Sequence, residues 1–267
     1  LFYFKSNIFL AIINFFLPTI LFTGIYVFLK RAFENKSVVL ISFLSFYLFI
    51  SKFTGIENFS RYGISLTVGL LFSYIFYKLP VLTLKASLFM GILIGVVFSL
   101  VNDQGLYVFS LFIFLLLVAP LLKRVKLSFN FLISRIVVSF LGFVIGFLPF
   151  LIFLISNNAA NSFLLFIQHL PDFTLYAKTP FIPFSTTTDN LFTFASIFTA
   201  IIALSFKIFL SNKKISLLSF MEISLVFILI LLEQKNIIRS IDKQITFVSF
   251  LLFILLSYEL IKSKVIF

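Results

Sequence analysis

Six polar side chains could do chemistry in a chain that offers few of them. Asp103 lies in Asn102-Asp103-Gln104-Gly105, four polar residues between two apolar runs. As a turn between helices the tetrapeptide makes sense, because Asn and Asp hydrogen-bond their own backbone and Gly accepts a positive φ. A turn does not require an acid, however. Asp103 is expected to cap the following helix, where the dipole keeps a carboxylate ionised and able to serve as a general base or a metal ligand. Arg61, within Gly55 to Gly63, is a permanently charged fork suited to phosphate or carboxylate. Its plainer use is to snorkel at an interface beside an aromatic anchor.

The other four candidates sit later in the chain. His169 is the sole histidine, in the segment QHLPDFTLYAKTPFIPF, and is either a substrate-binding group or a hydrogen-bonded anchor. Lys235 and Arg239 are four residues apart, so one helical turn puts them on a common face, where they can clamp an anionic head group. Asp242 either joins that site or neutralises Arg239 in a solvated loop. Glu222 falls inside an apolar run. An acid there is a functional candidate by default, but about two turns from the run's start it is expected to snorkel or to pair with Lys213 or Lys214.

The elements that must position these groups follow from composition. Hydrophobic residues make up 61% of the 267 and charged ones 11%, with a mean hydropathy of +1.20. A soluble domain carries about a quarter charged residues, so this chain lacks the polar groups to cover itself. Apolar runs of roughly 20 residues recur to the C-terminus, which predicts an all-α polytopic transmembrane bundle in a single domain, 1–267. A signal peptide does not explain repeated runs, and the short alternating segments of a membrane barrel are missing. Absence of cysteine excludes disulfides and thiolate chemistry. The net charge of +12 sits in short clusters between apolar runs, as membrane topology requires, and does not point to nucleic acid.

Nine spans are predicted, at 8–29, 38–53, 64–79, 81–100, 106–122, 136–155, 191–210, 215–232 and 245–261. The stretch from Gly55 to Tyr62 is a candidate re-entrant break, and Pro18 and Pro149 fall inside spans. Alternate loops carry fourteen of the 21 Lys and Arg, and that face is expected to be cytoplasmic. Asp103, Arg61, His169, Lys235, Arg239 and Asp242 then lie outside, where function is expected, and the basic loops read as topology signals and little more. The longest outer loop, 156–190, is expected to hold a short interfacial helix from Ala160 to Leu170 followed by a Pro-rich lid or groove element. The chain opens at Leu1 in an apolar stretch, and an outside start implies upstream spans, so an N-terminally truncated fragment is expected.

Three stretches carry a family resemblance: NFSRYGISLTVGLLF (58–72), GVVFSLVNDQGLYVFS (95–110) and RSIDKQ (239–244) before a final helix, with TPFIPF at 179–184 in the outer loop between the last two. In these the chain resembles the GT-C membrane glycosyltransferases, the class of protein O-mannosyltransferases and aminoarabinose transferases. The resemblance implies transfer of a sugar from a polyprenyl-phosphate donor at the outer face of a bacterial cytoplasmic membrane. Membrane lipids and that donor are the implied partners, and nucleic acid is not among them. In such enzymes a principal acid lies in the first outer loop. No acid precedes residue 30 here, which leaves Asp103 as a supporting catalytic acid, with Arg61, Lys235 and Arg239 placed to stabilise the departing lipid phosphate. A divalent metal ion is compatible with this chemistry, though the sequence does not fix a cofactor. Related readings are an envelope-polysaccharide polymerase or ligase, and, from another class, a transporter or flippase.

Overall fold

The computed structural model describes residues 7–54, 56–79, 81–123, 128–168, 195, 198–199, 201–202, 216–238 and 243–264. Among them the fold is entirely helical. The helices are α1 (Asn7–Ala32), α2 (Lys36–Phe49), α3 (Ile56–Lys78), α4 (Leu84–Leu100), α5 (Asn102–Leu122), α6 (Phe129–Ser156), α7 (Ala160–Gln168), α8 (Leu217–Ile238) and α9 (Lys243–Lys264), with a π-helical turn at Ile50–Thr54 continuing α2. Eight of the expected spans correspond to helices, and the ninth, 191–210, falls almost wholly outside the described residues. By length and composition α5 and α6 are able to cross a membrane, whereas Gly63–Lys78, Leu84–Leu100 and Leu217–Leu232 are shorter apolar stretches. Prolines lie inside α1 (Pro18), α5 (Pro120) and α6 (Pro149).

Directions alternate from α1 to α6. Helices α1 and α3 run parallel, with Gly24 against Thr67 and Arg31 against Tyr74. Helix α8 runs antiparallel to α3: Tyr77 packs on Phe220, Ser73 bonds Ser224, and Gly69 meets Ile228. Every residue from Leu217 to Val226 is buried, so the first half of α8 is surrounded by other helices. A helix apolar all round belongs in such a place. Within it Glu222 is fully buried. The expected snorkelling does not occur, because protein, not a surface, surrounds this turn on every side; Lys213 and Lys214, the alternative partners, lie outside the described residues.

A small-residue seam joins α4 to α6. The pattern GILIG (91–95) on α4 faces GFVIG (142–146) on α6. A Cβ at Gly91 would overlap the Ser139 carbonyl oxygen, one at Gly142 that of Leu88, and one at Gly146 that of Ile92. Small residues at four-residue spacing let two backbones approach this closely, an arrangement typical of helices packed in lipid. The outward face of α6 is bare: Phe140, Leu141, Ile145 and Ile152 are more than half exposed.

Two expected interruptions are helical instead. The suspected break before Tyr62 is the first turn and a half of α3. Phe59 anchors it, fully buried and stacked on Phe22 with centroids 4.4 Å apart. The turn Asn102–Gly105 is likewise the first turn of α5, and Val101 alone, extended at φ −148°, separates it from α4. Gly105 therefore serves close packing and not a positive φ: a Cβ there would lie 2.5 Å from Phe98 Cα.

The basic loops also do more than set topology. Lys123 Nζ donates to the carbonyls of Phe76, Tyr77 and Leu79, satisfying acceptors that the end of α3 leaves open. Partial burial lowers the Lys123 pKa from its usual value. Arg135 Nε donates to Leu82 O at 2.6 Å while its guanidinium lies 4.5 Å from the Phe131 ring centroid.

The α4–α6 seam sets a test. Gly142→Ala forces a backbone overlap and should cost about 1–3 kcal/mol, read as a lower thermal midpoint in detergent. Leu141→Ala, beside it but 54% exposed, should leave the midpoint within about 0.5 kcal/mol. Equal effects would refute the close seam.

Candidate functional site

The candidate site lies at the end of the bundle where α3, α5 and α9 begin and α4, α6 and α8 finish. Its fixed point is a buried polar contact. Ser65 Oγ donates to Gln104 Oε1 at 2.5 Å, with Ser65 2% exposed and Gln104 fully buried. This bond joins α3 to α5 one turn inward from Arg61 and beside Asp103. Gln104 heads the buried stripe of α5, followed by Val108, Leu111, Leu115 and Ala119. Burying an amide costs about 1–3 kcal/mol unless it is hydrogen-bonded, which explains why a serine faces it from α3.

Asp103 is half-buried. It is not the cap of α5, since Val101 holds that position and its side chain makes no capping bond. Asp103 instead occupies the first turn, and its Oδ1 accepts the backbone N–H of Gln104 at 3.0 Å. A carboxylate in this position still gains from the helix dipole. The start of α5 at Asn102, four residues before the expected 106, brings Asp103 into helical register with Leu106 and Tyr107.

Arg61 and Lys235 are placed by backbone alone. The antiparallel register in which Ser73 meets Ser224 and Gly69 meets Ile228 carries Lys235 to the level of Arg61. The pairing of Ser65 with Gln104 sets Asp103 about 5 Å deeper along the axis, at roughly 1.5 Å per residue. These three candidates therefore share one end of the bundle within about one helical turn of depth. His169, Arg239 and Asp242 lie outside the described residues. Among the described residues, no group of three or more His, Cys, Asp or Glu is arranged to hold a metal ion.

Helix α7 folds back on the end of α6. Asn157 Nδ2 donates to Phe153 O at 2.8 Å. Asn158 takes φ 52°, and Ala159 N bonds Leu154 O at 2.8 Å, the six-to-one closure of a helix ending in a left-handed residue. The reversed chain packs Phe163 on Phe150 with centroids 5.6 Å apart. Leu164 and Leu165 remain more than half exposed. The short helix expected from Ala160 is thus present, through Gln168.

Ser65 and Gln104 are the site residues that sequence reading missed. The signal for Gln104 was its spacing from Val108, Leu111 and Leu115, visible only once the helix is begun at Asn102. Ser65 carried none, because its importance comes from the helix it faces. No known protein family, curated protein or solved structure matches this chain.

A double-mutant cycle measures the buried contact. Ser65→Ala and Gln104→Leu should show a coupling of about 0.5–1.5 kcal/mol, read from unfolding midpoints of both single variants and the double. Strict additivity would remove this contact as the fixed point.

Proposed function

We propose that the chain is a polytopic membrane protein of about nine spans that transfers a sugar from a polyprenyl-phosphate donor to an acceptor at the outer face of a bacterial cytoplasmic membrane. The single observation that carries the reading is the common depth of Arg61, Asp103 and Lys235 at one end of an apolar helical bundle. Displacement at an anomeric carbon needs a base near the acceptor hydroxyl and cations where the lipid phosphate departs. Asp103 supplies an acid at that end, where Glu57 of α3 and Glu233 of α8 also lie, and Arg61 and Lys235 supply the cations. The membrane part of the reading draws support from α6, 28 residues long and buried over only 17% of its most apolar window. A bare apolar helix of that length is stable where lipid covers it. The sorting of charge points the same way: Lys30, Arg31, Lys36, Lys78, Lys85, Lys123, Arg135 and Lys262 gather at the end opposite Asp103.

Sugar transfer from polyprenyl-phosphate donors, measured in proteoliposomes with the full-length protein, tests the reading. Asp103→Asn should lower turnover by about 100-fold. Arg61→Gln should raise the KM for donor by about tenfold, consistent with loss of one charged hydrogen bond. Full-length protein that moves a solute or lipid across the bilayer but transfers no sugar would sink the proposal.

A transporter or flippase is the second reading, favoured by the full burial of Glu222. Acids inside spans mark ion and substrate paths. On that reading Glu222→Gln abolishes proton-driven uptake into vesicles; on the transferase reading it leaves uptake at background and transfer within a few-fold of wild type.

A further inference from the structure

The basic end carries a feature that neither sugar transfer nor helix capping uses. Arg31, in the last turn of α1, and Lys78, the last residue of α3, converge on one tyrosine. Arg31 Nη1 donates to Tyr74 Oη at 2.6 Å, and its guanidinium carbon lies 4.8 Å from the ring centroid. Lys78 Nζ stands 6.0 Å from the same centroid. Both cations are exposed and Tyr74 is half-buried. Among the described residues neither cation has a carboxylate partner, and the neighbouring acid Glu34 is held by Lys262 at 2.7 Å. Two exposed cations held over one ring present a concentrated positive charge to an approaching anion.

Beneath the pair the surface turns apolar. Phe16, Ile20, Thr23 and Val27 follow one face of α1 at helical spacing and lead to Arg31. Phe16 is 56% and Ile20 63% exposed. On α3 the half-buried Thr67 and Leu71 lead in the same way to Tyr74 and Lys78. Gly24 lets the two helices close on each other below, since a Cβ there would lie 2.7 Å from Thr67 Cγ2. A cationic fork thus tops a strip of apolar surface running along the bundle axis, which matches an amphiphile with an anionic head.

We propose that Arg31, Tyr74 and Lys78 bind the phosphate of an anionic phospholipid whose acyl chain lies along the α1–α3 seam. The inference rests on the membrane part of the reading above and is independent of sugar transfer. Arg31 accounts for geometry, offering the phosphate a planar pair of donors while one Nη is committed to Tyr74. Lys78 adds a mobile charge. Basic residues between helices at the cytoplasmic side commonly hold such head groups.

Native mass spectrometry of the full-length protein, released from detergent after titration with phosphatidylglycerol or phosphatidylcholine, tests the site. One phosphatidylglycerol should be retained in preference to phosphatidylcholine. Arg31→Gln/Lys78→Gln should weaken that retention about thirtyfold, at roughly fivefold per cation removed. Lys85→Gln, an exposed cation of the same end on α4, should leave it unchanged, and matching circular dichroism spectra establish that both variants fold. Equal retention of the two lipids, equal loss in Lys85→Gln, or competition by millimolar glycerol phosphate overturns the proposal, the last in favour of a soluble phosphate. Carbonate washing of membranes separates the two failures. Protein that stays in the pellet but shows no lipid preference overturns the lipid site alone, and protein released by carbonate overturns the membrane reading beneath it.

Discussion

The contact between Ser65 and Gln104 is the constraint on which the candidate end depends. An amide sealed among Val108, Leu111 and the apolar face of α3 must find a partner there, because no solvent reaches it. The partner is on α3, so the first turn of α5 cannot rotate or slide without leaving the amide unbonded among apolar side chains. That rotation sets the direction in which Asp103 leaves the helix, and the depth of the contact sets its distance below Arg61. Gly105 enforces the same placement from the other side, since its bare backbone presses against Phe98 of α4.

The two ends of the bundle use their polar groups differently. At the Asp103 end the carboxylate lies in the first turn of α5, where the helix dipole favours an anionic group. At the opposite end cations meet backbone carbonyls at the close of α3 and in the loop that leads to α4. Lys123 reaches three carbonyls around the end of α3, and Arg135 meets Leu82. Arg31 and Lys78 stand apart in that company because they meet a tyrosine ring and solvent. Between the ends, hydroxyls bond within the helical framework, as Ser73 does with Ser224 at 2.6 Å. That contact ties α3 to α8 without placing a formal charge in the core.

Much of this was legible in the residues alone. Long apolar runs dictate helices, because a chain poor in polar groups must satisfy its backbone internally. Lys and Arg clustering separates the two ends, and the described helices keep that separation. The opening of α7 near Ala160 follows from the same apolar periodicity. Misread segments share one cause: polar residues near a helix start look like a loop when their burial is unknown. Asn102–Gly105 and the residues before Tyr62 are both helical: Phe98 of the preceding helix packs against Gly105, and Phe22, distant in sequence, stacks on Phe59.

The sequence by itself determined helix content, the alternation of direction and the uneven charge of the two ends, since each follows from local composition and the spacing of apolar residues. Tertiary structure decided which polar groups lie inside. Gln104 reads in sequence as part of a turn and Glu222 as an acid near the start of an apolar run, and only the helices packed around them enclose both. It also decided register: that Lys235 comes level with Arg61 depends on Ser73 meeting Ser224, a contact across 151 residues that no local pattern encodes. Asp103 gained its place in the same way, as the neighbour of an amide that had to be buried against a serine on another helix.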